Sequence, residues 1–137
     1  TDYEVLLALV EAAESLKVKY HVGITATASD FYAGQARHGG KGFFNPQSPN
    51  LVSTMRKANV LNFEMETATL FTLASLSRLR AGAVCAVYAN RCTGEFKPGT
   101  GERKAIKIAN EAVKILDEWR EVKRRKRKNW LFPSLFH

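Results

Sequence analysis

At 137 residues, 45% of them hydrophobic, the chain has the size of one globular domain able to bury a core of its own. It has no apolar run long enough to cross a bilayer and no signal-peptide pattern at its start, which argues against a helical membrane protein and against a membrane partner. The net charge of +8 is local, because residues 120–128 (REVKRRKRK) carry seven positive charges and one negative, and the rest of the chain is nearly balanced.

Residues 3–16, YEVLLALVEAAESL, are rich in Leu, Ala and Glu, lack Gly and Pro, and repeat apolar residues at helical spacing, which predicts a helix. Residues 19–27, KYHVGITAT, are β-branched and apolar and predict a buried strand. Residues 28–50 hold Gly34, Gly39, Gly40, Gly42, Pro46 and Pro49 and predict a long loop. Such loops in compact domains are functional or disordered. A short helix is predicted over 50–59 with Asn50 or Ser53 near its cap, then an extended segment over 60–65 and an apolar helix over 66–79. Residues 81–91, AGAVCAVYANR, predict another buried strand, and 93–100 a loop. The span 101–124 predicts a long helix with Thr100 as N-cap and Glu102 in its first turn. Its apolar face is Ala105, Ile108, Ala109, Ala112, Val113, Leu116 and Trp119.

The chain thus divides into a body, 1–119, and a basic then aromatic extension, 120–137. A basic balance spread over the fold would indicate nucleic acid. A charge run at one end is the pattern of a solvated helix extension or a tail. The closing NWLFPSLFH is apolar enough to dock on the body or on a partner. The chain opens at Thr1 without an initiator Met, as a processed product or a piece of a longer protein does.

Helices alternating with apolar strands define an α/β fold with a partly parallel sheet. Ligands of such sheets bind at the carboxyl ends of the strands, here Ala26–Ser29, Glu64–Glu66 and Asn90–Thr93. Three clusters fall there. The first, SDFYAGQAR, offers the ring of Phe31, the amide of Gln35 and the guanidinium of Arg37, a set that suits a flat heterocycle with ring carbonyls. A surface loop with incidental polar residues has the same composition. The second, Glu64–Met65–Glu66, can accept hydrogen bonds from vicinal sugar hydroxyls and cover the ring with a thioether. Helix N-terminal chemistry is the competing explanation; it accounts for Glu66 well and for Glu64 poorly. The third is Asn90–Arg91, where an Arg at the end of a buried strand needs an acidic or carbonyl partner. An ion pair from Arg91 to Glu64 or Glu95 is its ordinary form. The glycines of HGGKG at 38–42 lack the spacing of a phosphate loop. Cys85 and Cys92 form no metal pattern and suit reduced thiols in a cytosolic protein, and the three histidines lie far apart, so no metal site is expected.

The blocks HVGITATASDFYAGQAR, NFEMETATLFTLASLSRLRAGAV and ANR, with LVEAA at Leu9–Ala13, resemble the nucleoside phosphorylase family and within it the uridine phosphorylases, over about residues 3 to 118. The resemblance implies a partial phosphorylase/hydrolase-like three-layer α/β/α domain with a mixed central sheet, the C-terminal half of the family's chain. It implies reversible phosphorolysis of a pyrimidine nucleoside, uridine foremost, to free base and ribose 1-phosphate, through an oxocarbenium-like transition state. Phosphate is then a co-substrate, and no cofactor is needed. Gln35 and Arg37 would bind the base, Phe31 would pack on it, and Arg91 would fix the base-binding loop. Glu66 would bind the ribose hydroxyls, with Met65 against the sugar and Glu64 beside it. Purine-specific relatives carry an Asp where this chain has Asn90, which favours a pyrimidine. The phosphate-binding residues are expected N-terminal to Thr1, so this chain supplies the base and ribose half of the site. The family also implies a cytoplasmic homo-oligomer. The loop HGGKGFFNPQSPN and the basic tail depart from the family's pattern, and a nucleoside-binding module with a basic tail for nucleic acid or an acidic partner is the alternative.

Overall fold

The computed structural model describes residues 1–42 and 49–136. Residues 43–48 of the predicted loop, and His137, lie outside the described residues. Four helices and four short strands follow in the order α1 (Tyr3–Ser15), β1 (Ile24–Thr27), α2 (Leu51–Lys57), β2 (Val60–Glu64), α3 (Thr67–Leu76), β3 (Ala89–Asn90), β4 (Glu95–Phe96) and α4 (Glu102–Arg125). The class is α/β. Among the described residues the strands form two separate pairs, β1 parallel to β2 and β3 antiparallel to β4.

Asp2 starts α1 by accepting the Val5 N–H on its side chain at 3.0 Å. The helix turns Ala8, Ala12 and Ala13 inward against Ile108, Ala112 and Ile115 of α4. Alanines on one helix let the branched side chains of the other approach its backbone closely, so this contact is the densest apolar region of the fold. The predicted face of α4 is correct at Ile108 and Ala112. It misses Ile115, which is buried, and wrongly includes Val113, which is 65% exposed. The helix begins one residue later than predicted, with Gly101 at φ 84° in the cap position instead of Thr100. Only a residue without Cβ adopts that backbone readily.

Both predicted buried strands are shorter and more open than expected. Of 19–27 only Ile24–Thr27 pairs, and Ile24 is 60% exposed. Of 81–91 only Ala89–Asn90 pairs, and Val87 is 65% exposed. Their apolar composition was read correctly as strand-like, but a ladder needs a neighbour, and among the described residues β2 alone flanks β1. On α2, the Asn50 side chain makes no capping bond; the Ser53 hydroxyl donates back to the Asn50 carbonyl at 2.9 Å.

The basic run is partly structural. Residues 120–125 continue α4 across the 119/120 boundary without a break. Lys123 reaches Glu4 at 2.6 Å, and Lys126 donates to the Leu135 carbonyl at 2.5 Å. Arg120 pairs with Asp117 at 2.7 Å and Arg124 with Glu121 at 2.8 Å. Lys123 and Lys126 are thereby drawn into the fold, while Arg120 and Arg124 make exposed pairs on the helix surface. The aromatic end docks on the body: Leu131 and Leu135 are buried, and the Tyr3 hydroxyl donates to the Leu131 carbonyl at 2.9 Å.

Candidate functional site

Strands β1 and β2 run parallel, and Thr27 sits opposite Glu64 in their register. Their carboxyl ends therefore open side by side, and the first two predicted clusters emerge from them.

From β1 the chain enters a tight loop organised by Asp30, a residue the sequence reading passed over. Its carboxylate accepts the N–H of Tyr32 at 2.7 Å and of Gly34 at 2.9 Å, and the Ser29 hydroxyl at 3.2 Å. Burial alone would raise its pKa, but these donors, Gly34 and Tyr32 first, bring it below the ordinary value. A Cβ at Gly34 would stand 2.8 Å from the Ser29 hydroxyl oxygen and 2.9 Å from the Asp30 carboxylate, so only glycine fits there. Asp followed by Gly four residues on is the sequence signal that could have marked this turn.

The loop then delivers Gln35, which is buried, and Arg37, whose guanidinium lies 4.4 Å from the centre of the Phe31 ring. Among the described residues, Nε of Arg37 is buried and meets no hydrogen-bond partner. Phe31 is 39% exposed and meets Tyr32 edge-on at 5.4 Å. Arg91 closes the loop from β3: its guanidinium donates to the carbonyl of Gln35 at 2.6 Å and of Ala36 at 3.1 Å. Ala36 holds a left-handed backbone at φ 51°, a conformation that a non-glycine residue keeps only when its surroundings impose it. The carbonyl partner required at the end of that strand is thus found, and the expected ion pair of Arg91 to Glu64 or Glu95 does not form; Glu95 meets Lys97 at 2.5 Å. Burial, and then the neighbouring Arg37, hold the Arg91 pKa below its ordinary value. The side-chain oxygen of Asn90 accepts the N–H of Cys92 at 2.9 Å and of Thr93 at 3.2 Å, closing the turn that follows.

At the end of β2 the helix explanation fits the glutamate it was expected to fit poorly. Glu64, not Glu66, serves the helix N-terminus. One carboxylate oxygen accepts the N–H of Glu66 at 2.7 Å and of Thr67 at 2.6 Å, and the other accepts the Thr27 hydroxyl. Burial pushes its pKa up; the hydroxyls of Thr27 and Thr67 and the two N–H groups outweigh that and bring it down to about 2. Glu66 occupies the cap position of α3 without a side-chain capping bond. It is exposed, and among the described residues its carboxylate accepts only a long bond from the Met65 N–H at 3.3 Å. Met65 is 41% exposed beside it. The fold thus brings Phe31, Gln35, Arg37 and Arg91 into one contact group, and Glu64, Met65 and Glu66 into a second, at the ends of adjacent strands.

The family model of the phosphorylase superfamily matches residues 1–118, and the chain belongs to that superfamily. It is 56% identical over 134 residues to a uridine phosphorylase of Thermococcus kodakarensis, a match covering 98% of this chain and 48% of that protein. It is 38% identical over 120 residues to the uridine phosphorylase of Escherichia coli, covering 84% of this chain and 47% of that protein. A guanosine phosphorylase of Halorubrum lacusprofundi is 34% identical over 112 residues, covering 82% and 41%. The chain spans about half the length of the curated relatives it matches. The family match stops before the basic run, but the similarity to the Thermococcus protein leaves at most three residues of this chain uncovered and so includes that run.

Proposed function

We propose that this chain forms the base- and ribose-binding part of a uridine phosphorylase, which cleaves uridine reversibly with phosphate to uracil and ribose 1-phosphate. The observation that carries the proposal is Arg37, braced between the Phe31 ring and the loop that Arg91 clamps. The terminal N–H groups of this guanidinium are the donors we assign to a base carbonyl. As the glycosidic bond breaks, its electrons pass to the base, and a fixed guanidinium donor stabilises the charge that grows on the carbonyl oxygen. Gln35 both accepts and donates and so matches an imide N–H beside a carbonyl. Glu66 accepts the ribose hydroxyls and Met65 covers the sugar. The names of the relatives support the same substrate.

Phosphate acts as co-substrate, without metal or cofactor. The relatives are about twice as long as this chain, and we assign phosphate binding to the part of such a protein that lies N-terminal to Thr1. This chain alone is then an incomplete catalyst. The two strand pairs become parts of one mixed sheet in a three-layer α/β/α domain of a cytoplasmic homo-oligomer. Uracil release from uridine by the intact protein, with and without phosphate, tests the proposal. Release is expected only with phosphate. Hypoxanthine from inosine without uracil from uridine would overturn the pyrimidine assignment.

A further inference from the structure

Thr27 has no part in the site described so far, yet its hydroxyl lies where β1, β2 and α3 meet. It donates its proton to Glu64, accepts the Ala68 N–H at 3.0 Å, and lies 3.1 Å from the Thr67 hydroxyl. The Ala28 N–H donates to the Glu64 carbonyl at 2.8 Å and closes the same junction from the backbone. Glu64 in turn receives the N–H groups of Glu66 and Thr67. Among the described residues the side-chain bonds of the turn that presents Met65 and Glu66 therefore converge on the Thr27–Glu64 pair, whereas the Glu66 carboxylate makes only the long bond to Met65 N–H. One Glu64 oxygen is filled by the two N–H groups that start α3, and the other is turned onto the Thr27 hydroxyl at the strand junction.

We infer that Thr27 and Glu64 are positioning residues: together they lock the 64–67 turn so that Glu66 is held ready for the ribose, and neither contacts the sugar. The inference rests on the proposed phosphorolysis. It moves Glu64 from the ribose-binding group to the support behind it and assigns a role to Thr27. The base arm is held separately, by Asp30 and Arg91, so a defect at Thr27 is confined to the ribose arm.

The test is a double-mutant cycle on the intact protein with uridine and saturating phosphate. Thr27→Val keeps the volume and removes the hydroxyl; loss of a hydrogen bond to a charged group predicts a fall in kcat/KM of about tenfold or more. Thr27→Ser keeps the hydroxyl and stays within about twofold of wild type. Free-uracil affinity is unchanged in both. In a Glu66→Ala background, Thr27→Val costs less than about twofold more, because groups acting through one another are not additive. Should Thr27→Val fail to fold, Glu64→Gln serves in the same cycle: its amide oxygen still accepts the helix N–H groups, and the same non-additivity with Glu66→Ala is expected. Losses that multiply would overturn the inference, as would Thr27→Ser behaving like Thr27→Val or a loss of uracil affinity. If the wild-type protein releases no uracil, the phosphorolysis proposal fails and the inference falls with it; an active wild type with multiplying losses sinks the inference alone.

Discussion

At the α1–α4 face, Glu4 is 3% exposed and surrounded by donors: Lys123 at 2.6 and 2.8 Å, Arg80 at 2.5 Å and the Leu131 N–H at 3.0 Å. At the strand ends, Glu66 is exposed with one contact at 3.3 Å. Both stand near a helix start, where the macrodipole favours a carboxylate, so position along a helix does not separate them. Saturation does. A carboxylate whose lone pairs are all taken by its own chain is part of the architecture, and one left with empty lone pairs at an open strand end can receive a ligand. A milder form of the contrast recurs within three residues: Glu64 accepts three close hydrogen bonds from its own chain, and Glu66, among the described residues, one long one.

The largest effect expected from breaking this contrast is on Glu4. Glu4→Ala leaves Lys123, whose side chain is 13% exposed, buried without its counter-charge. Removing one partner of a buried ion pair costs about 3 kcal/mol or more, and the tail loses an anchor at Leu131. Denaturant unfolding should show that loss, and limited proteolysis should cut the tail earlier than in wild type. A change below about 1 kcal/mol would mean that Glu4 contributes no more than a surface pair. Glu66→Ala should do the reverse. On the proposed role, loss of the charge-assisted hydrogen bonds to the ribose predicts a fall in kcat/KM for uridine of about 100-fold, with unfolding free energy within about 0.5 kcal/mol of wild type. A stability loss as large as that of Glu4→Ala would show that Glu66 is architectural after all.

Much of the site was legible because its chemistry is local in sequence. Phe31, Gln35 and Arg37 lie on one loop and Glu64–Glu66 on one strand end, so residue type and spacing alone bring each cluster together. The helices were legible for the same reason: their periodicity is a local property, and the misses are at ends, the cap of α4 at Gly101 and the close of α3 at Leu76. Pairing is not local. KYHVGITAT and AGAVCAVYANR have strand composition, but whether a strand is buried depends on what lies beside it, and residue content does not encode that. That Glu64 and not Glu66 meets the helix N–H groups was hidden for a related reason. Which carboxylate turns back onto the helix N–H groups depends on the Thr27 hydroxyl, 37 residues away and brought opposite only by the parallel register. Lys123 and Lys126 looked like part of a solvated run because the groups they reach, the Glu4 side chain and the Leu135 carbonyl, are invisible to composition.

The smallest expected effect concerns acid. Glu64 titrates at about 2 in the folded chain against an ordinary value of 4.5. A carboxylate whose pKa is lowered by folding contributes stability that is complete above its unfolded value and is lost as pH falls toward the folded one. Between about pH 4.5 and 2 the wild-type protein should therefore lose stability as Glu64 takes up a proton and its hold on the Glu66 and Thr67 N–H groups weakens. Glu64→Gln removes this proton uptake, so its stability should fall less steeply over the same interval, starting from a lower value at neutral pH. The difference is smaller than that from Glu4→Ala, because water reaches the Glu64 carboxylate and screens it. Parallel slopes for the two proteins would mean that the Glu64 carboxylate is not held in the folded state as the geometry requires. Glu64 would then stand with Glu66 among the groups left open for the sugar, and the division between saturated and waiting carboxylates would fall between the two regions of the molecule and not within the turn.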